Sequence, residues 1–168
     1  MATDLEKFYL NSPKSVAILE CIELSHPNFL KTYYVVRNSS YNISVKHEDD
    51  PNKYLYIYYP LELTGKGSFK DLDFGFTVKF GDLEGELQKE LEVVAAADGF
   101  LIHPIFKLRR YRSDNLEAPI ESVITLIIRQ LKFNAEGAEF EATARLISER
   151  ATGRLYDLAN FPQMKAMT

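Results

Sequence analysis

The most constraining feature of the sequence is a pair of apolar runs, residues 122–133 and 138–147, separated only by Asn134-Ala135-Glu136-Gly137. Two β-prone runs joined by so short a connection read as an antiparallel hairpin. Pairing Phe133 with Ala138 sets Leu131 against Phe140 and Ile127 against Ala144, with Lys132 facing Glu139 on the other side. Apolar then meets apolar and cation meets anion, whereas a one-residue slip turns the apolar row of the second strand outward.

Other segments fall in with this β character. Phe74, Phe76, Val78 and Phe80 alternate with Asp73, Gly75, Thr77 and Lys79, the pattern of a strand with one buried face. Residues 16–24 are apolar on both parities apart from Glu20 and Glu23, which predicts a central strand covered on both sides. Ser25-His26-Pro27-Asn28 is a turn signal before a strand at 32–37, and residues 101–112 read as a strand that turns basic. Residues 53–63 read as one strand, with Leu55 and Ile57 facing the core and Tyr54, Tyr56 and Tyr58 forming a stripe on the opposite face.

Helices are few. Asp82 is a fitting N-cap for a helix reaching Ala97, with Leu83, Leu87, Leu91 and Val94 as its apolar stripe and Asp98-Gly99 as its stop. A short leading helix is expected within residues 1–12, ended by Ser12-Pro13, and an irregular arm over 150–168. The expected fold is thus mainly β with a packed α-helix, an antiparallel barrel or sandwich, in a single domain spanning 1–168.

Composition narrows function. The 168 residues carry 20 Lys and Arg against 24 Asp and Glu, a formal charge of −4, which argues against a dedicated nucleic-acid or anionic-membrane binder. The one cysteine excludes an internal disulfide and a Cys-based zinc cage. No membrane span and no signal pattern are evident, so a soluble protein is expected.

The search for chemistry finds no catalytic, cofactor or metal site. His26, His47 and His103 lack metal-ligand spacing, and His26 before Pro27 reads as a turn residue, as does His103 before Pro104. Cys21 lies among Glu20, Ile22 and Glu23 and reads as a buried small hydrophobe. Glu48-Asp49-Asp50 and the pair Asp71 and Asp73 read as solvated loops, since neither completes a calcium-binding pattern. Lys107, Arg109, Arg110 and Arg112, interleaved with Tyr111, form the one basic cluster. Its guanidinium groups suit carboxylates across a subunit interface better than a phosphate backbone. Ten Tyr and 11 Phe exceed what one small core needs, so Tyr54, Tyr56, Tyr58, Arg109, Arg110 and Arg112 are the expected interface residues.

Leu24-Ser25-His26-Pro27-Asn28-Phe29, preceded by an apolar strand and followed by Tyr34-Val35-Val36-Arg37-Asn38, resembles the opening of an uncharacterised family encoded among the tail genes of phages and prophages. The mid-chain helix, the late hairpin and Phe161-Pro162 occupy the places expected in that family. The resemblance implies a structural protein of the distal tail, beside the tail tube, tape measure and hub proteins, with no catalytic residues to carry over. It further implies a tail-tube or tail-tip type of barrel, a place in the virion tail tip and assembly in the bacterial host cytoplasm. A cyclic homo-oligomer is expected, a hexamer favoured over a trimer. The alternative is a β-barrel module that stacks a small ligand or glycan on Tyr54, Tyr56 and Tyr58.

Overall fold

The run that is apolar on both parities becomes β1 (Ile18–Ser25) in a computed structural model of the protein, and it has a neighbour on each side. The structure describes residues 6, 9–10, 16–48, 50–67, 74–80, 89–90, 92–94, 96, 102–134 and 137–144. Within them follow β2 (Tyr33–Arg37), β3 (Ile43–Lys46), β4 (Lys53–Tyr58), β5 (Leu61–Lys66), β6 (Gly75–Phe80), β7 (Ile105–Arg112), β8 (Ile124–Asn134) and β9 (Gly137–Thr143). They make one mixed sheet in the order β3-β4-β2-β1-β7-β8-β9-β6-β5, in which β2 and β4 run parallel and the other neighbours antiparallel. The architecture is mainly β, as expected, but the sheet is mixed rather than wholly antiparallel.

Because side chains alternate along β1, its two faces serve two cores. Ile22 and Leu24 join Val35, Phe76, Val78, Phe80, Phe106, Leu108, Leu126, Ile128, Phe140 and Ala142 in the larger one. Leu19 and Cys21 face the other way, against Val36, Tyr111 and the inward side chains of the β3–β4 hairpin, Ile43, Val45 and Tyr56. The hairpin therefore lies over one face of β2, β1 and β7 as a flap. β3 was not anticipated, since Ile43 and Val45 alternate over only four residues.

Residues 53–63 are two strands rather than one. β4 ends at Tyr58 and β5 starts at Leu61, with Tyr59-Pro60 between them. Proline has no N–H to continue a ladder, so the chain changes partners there. These two strands stand second and ninth in the sheet. Seven flat spacings of about 4.8 Å would separate them by about 34 Å. The linker can span only about 11 Å. The sheet must therefore curl around the larger core. Tyr59 N–H donates to Val36 O at 3.2 Å and Arg37 Nη1 to Leu63 O at 3.3 Å, which draws the two ends together. No ladder pairs β5 with β2 or β4 among the described residues, and the sheet is not closed.

The late hairpin takes the expected register from Asn134↔Gly137 to Gln130↔Glu141. A bulge at Arg129 then shifts it, so that Ile128 pairs with Ala142 and Ile127 with Thr143 instead of Ala144. The apolar alternation itself slips by one between Ile128 and Leu131, and one extra residue accommodates the slip. β6 is as expected, with Phe76, Val78 and Phe80 buried and Lys79 exposed. Of the expected helix, Lys89, Glu90, Glu92, Val93, Val94 and Ala96 are helical and Val94 is fully buried; the rest of 82–97 lies outside the described residues. Glu6, Tyr9 and Leu10 are helical, while the remainder of 1–12, the arm 150–168, and Asp71 and Asp73 also lie outside them. Among the described residues no helix is long and apolar enough to cross a membrane.

Candidate functional site

The register of β1 against β7 sets Glu23 opposite Lys107 and Cys21 opposite Arg109, on the face that the β3–β4 flap covers. Arg109 is consequently 3% exposed and must find carboxylates inside the fold. Its Nη1 donates to Glu23 Oε2 at 2.5 Å, and its Nε and Nη2 donate to Glu48 at 3.0 and 3.3 Å, where the chain leaves β3. Lys107 Nζ reaches the other oxygen of Glu23 at 3.3 Å. Two cations and two carboxylates thus neutralise one another. Burial works against the charge on Arg109, but the hydrogen bonds to Glu48 and Glu23 outweigh it and hold the guanidinium protonated. Burial likewise opposes the Glu48 carboxylate, and the Arg109 bond still brings it below its ordinary range.

His47 continues the buried parity of Ile43 and Val45 past the end of β3. Its ring stacks on Tyr54 at 4.0 Å and 12°, and its Nε2 is 3.0 Å from the hydroxyl of the fully buried Tyr56. Tyr34 packs against all three rings, at 5.2 Å from Tyr54, 5.2 Å from Tyr56 and 5.9 Å from His47. Tyr54 donates its hydroxyl to Asp50 Oδ2 at 2.6 Å, and Tyr111 donates to Lys46 O at 2.7 Å. Burial, followed by the charge of Arg109, favours the neutral imidazole of His47. Burial also pushes the Tyr56 phenol far up and the Cys21 thiol up to about 12. His47 bonds a phenol, and a thiol held at about 12 is no nucleophile near neutrality. The arrangement is a neutral clamp that fastens the flap to the sheet. Among the described residues no three His, Cys, Asp or Glu side chains converge as metal ligands would.

Several expectations need correction. The tyrosine stripe is reversed: Tyr56 is buried and Tyr54 half-buried, whereas Leu55 and Ile57 are 57% and 54% exposed. Both parities of β4 are apolar, and the flap buries the one whose hydroxyls find His47 and Asp50. Tyr58 alone of the three is exposed. The arginines meet carboxylates of their own chain. Arg110 sits 3.5 Å from Glu20 and 3.1 Å from Glu121, and Arg112 makes two bonds of 2.8 and 2.5 Å to Asp114. Glu48 and Asp50 lie in a solvent-exposed loop, as expected, but their carboxylates also bond Arg109 and Tyr54; Asp49 lies outside the described residues. Cys21 is buried as expected. His26 serves its turn, with Nδ1 accepting from Asn28 N–H at 3.1 Å, which leaves Nε2 to donate to Ile102 O at 2.9 Å. His47, weighed only as a metal ligand, is instead a buried part of the clamp, and its place two residues beyond Val45 on the same parity is the signal for that.

The outward face of the flap carries large apolar side chains beside the polar Ser44 and Lys53. Leu55, Ile57 and Tyr58 are exposed on β4, as is Tyr41 in the loop before β3. A separate cavity of about 480 Å³ lies between the turn after β1 and the helix, and there Glu90 accepts from Leu30 N–H at 3.3 Å and Tyr33 O–H at 3.4 Å. The chain matches no family model and no curated protein sequence.

Proposed function

We propose that the protein is a ring-forming structural subunit of a tailed-phage tail tip, seated between the tail tube with its tape measure and the hub, with no catalytic role of its own. The observation that carries the assembly part of this reading is the exposed row Leu55 and Ile57, two large apolar side chains pointing outward from one strand near the sheet's margin. Isolated exposed apolar residues are ordinary, but adjacent ones on a strand near an edge favour burial by a neighbour. The tail-tip part comes from the Leu24–Phe29 segment and the element order. A curled sheet held together through Tyr59-Pro60 suits the barrel-like body of such a subunit.

One contact repeated between identical copies closes into a ring when its rotation permits, and a sixfold ring is expected at the distal end of a tube. The glycan-binding alternative loses its stacking platform, because Tyr56 is buried and Tyr54 is covered by His47. Electron microscopy of assembled tails, with native mass measured alone and with adjacent tail proteins, tests the proposal. A cyclic multimer in the particle is expected, abolished by the double substitution Leu55→Glu and Ile57→Glu while the monomer stays folded. A single copy per tail, absence from tails, or unimpaired assembly of the double variant overturns it.

A further inference from the structure

The β3–β4 flap is joined to the body by a short ladder. Its pairs with β2 are Val35↔Ile57 and Val36↔Tyr58, extended by Tyr59 N–H to Val36 O. Its remaining hold is side-chain contact: Ile43, Val45 and Tyr56 on the second core, Glu48 on Arg109, Tyr111 on Lys46, and a Lys53–Glu117 pair at the surface, with one backbone bond of 3.0 Å from Lys46 N–H to Leu116 O. Such a unit opens more readily than the long ladders of β1–β7 and β8–β9. His47 sits where flap and body meet, with Tyr54 and Tyr56 from β4, Tyr34 from β2, Glu23 from β1, Lys107 and Arg109 from β7, and Glu48 and Asp50 from the following loop around it.

We propose that the β3–β4 hairpin is an acid-released flap, kept shut by an uncharged His47 and freed when that ring takes up a proton. The neutral ring can pair with the Tyr56 hydroxyl and stack flat on Tyr54. A protonated ring would place a third cation beside the buried Arg109 and the half-buried Lys107, whose charge Glu23 and Glu48 already balance. The one further carboxylate around the ring among the described residues, Asp50, is half-exposed and already accepts the Tyr54 hydroxyl. The shift agrees in sign. Burial and then Arg109 lower the folded-state value of His47 below 6.5, so the stabilisation is present above that value and is lost as pH falls through the folded one. Release would uncover Leu19, Cys21, Val36 and Tyr111, the apolar floor beneath the flap.

The chain's one cysteine, fully buried in that floor, reports opening directly. The test measures amide exchange, corrected for intrinsic rates, and labelling of Cys21 by a dipyridyl disulfide that reacts in acid, between about pH 7.5 and about pH 5. Below about pH 6.5, protection of β3 and β4 should fall and Cys21 labelling should quicken, by up to about tenfold per pH unit as one titrating group allows. Protection of β6 and β9 should stay constant. His47→Gln should abolish the pH step, and His47→Phe, which keeps the ring stack, should do the same if the glutamine variant folds poorly. No change in the hairpin between the two pH values, a step that survives in both variants, or parallel loss of protection in β6 and β9 overturns the proposal.

Discussion

Replacing Arg109 by methionine keeps most of the side-chain volume and removes the guanidinium that joins Glu23 to Glu48. The Arg109 side chain is 4% exposed and that of Glu23 10%, so the substitution strands a buried carboxylate. Breaking a buried pair by removing one partner costs about 3–5 kcal/mol. Two features set the expectation at the low end: Glu23 keeps Lys107 at 3.3 Å, and Glu48, with a side chain 32% exposed, can rehydrate. A loss of about 3 kcal/mol follows, which for a domain of this size lowers Tm by about 6–12 °C. Urea unfolding followed by circular dichroism measures it, with an unchanged slope showing that the same surface is exposed. The second substitution Glu23→Gln removes the stranded charge and leaves Lys107, itself a third exposed, to reach water, so the double variant should recover to within about 1 kcal/mol of the parent. A loss below about 1 kcal/mol in the single variant, or one that shrinks at low protein concentration as an intersubunit contact would, refutes the reasoning.

Two further outcomes test the packing. Gly75→Ala should destabilise the protein by about 1–3 kcal/mol in the same urea titration, because its new Cβ would lie 2.6 Å from the backbone carbonyl oxygen of Ala142, so that the backbone at this end of the β6–β9 ladder must shift. Tyr56→Phe should cost about 1 kcal/mol by removing the hydroxyl that His47 Nε2 meets at 3.0 Å, and it should leave the His47 titration midpoint seen by NMR below the ordinary value, since burial and Arg109 both persist.

Local chemistry alone settled a good part of the architecture. The late hairpin's register near its turn, the one-sided burial of β6 and the central place of β1 are all legible in residue order, because each depends on alternation within a single run or across a short connection. The His26 turn is legible for the same reason: its partner Asn28 is two residues away. Tertiary structure decided what alternation leaves degenerate. Tyr54, Leu55, Tyr56 and Ile57 are apolar on both parities, so period two cannot choose a face; the choice fell when the flap docked where buried hydroxyls could be satisfied. Arg109 has carboxylates 86 and 61 residues away, a pairing that exists only once β1 and β7 are adjacent and the flap has closed. The ion pairs of the candidate site and the docking of the flap are long-range, although the His47–Tyr56 and Tyr54–Asp50 bonds lie within one hairpin, which is why its residue types could be read from the sequence while the faces they occupy could not.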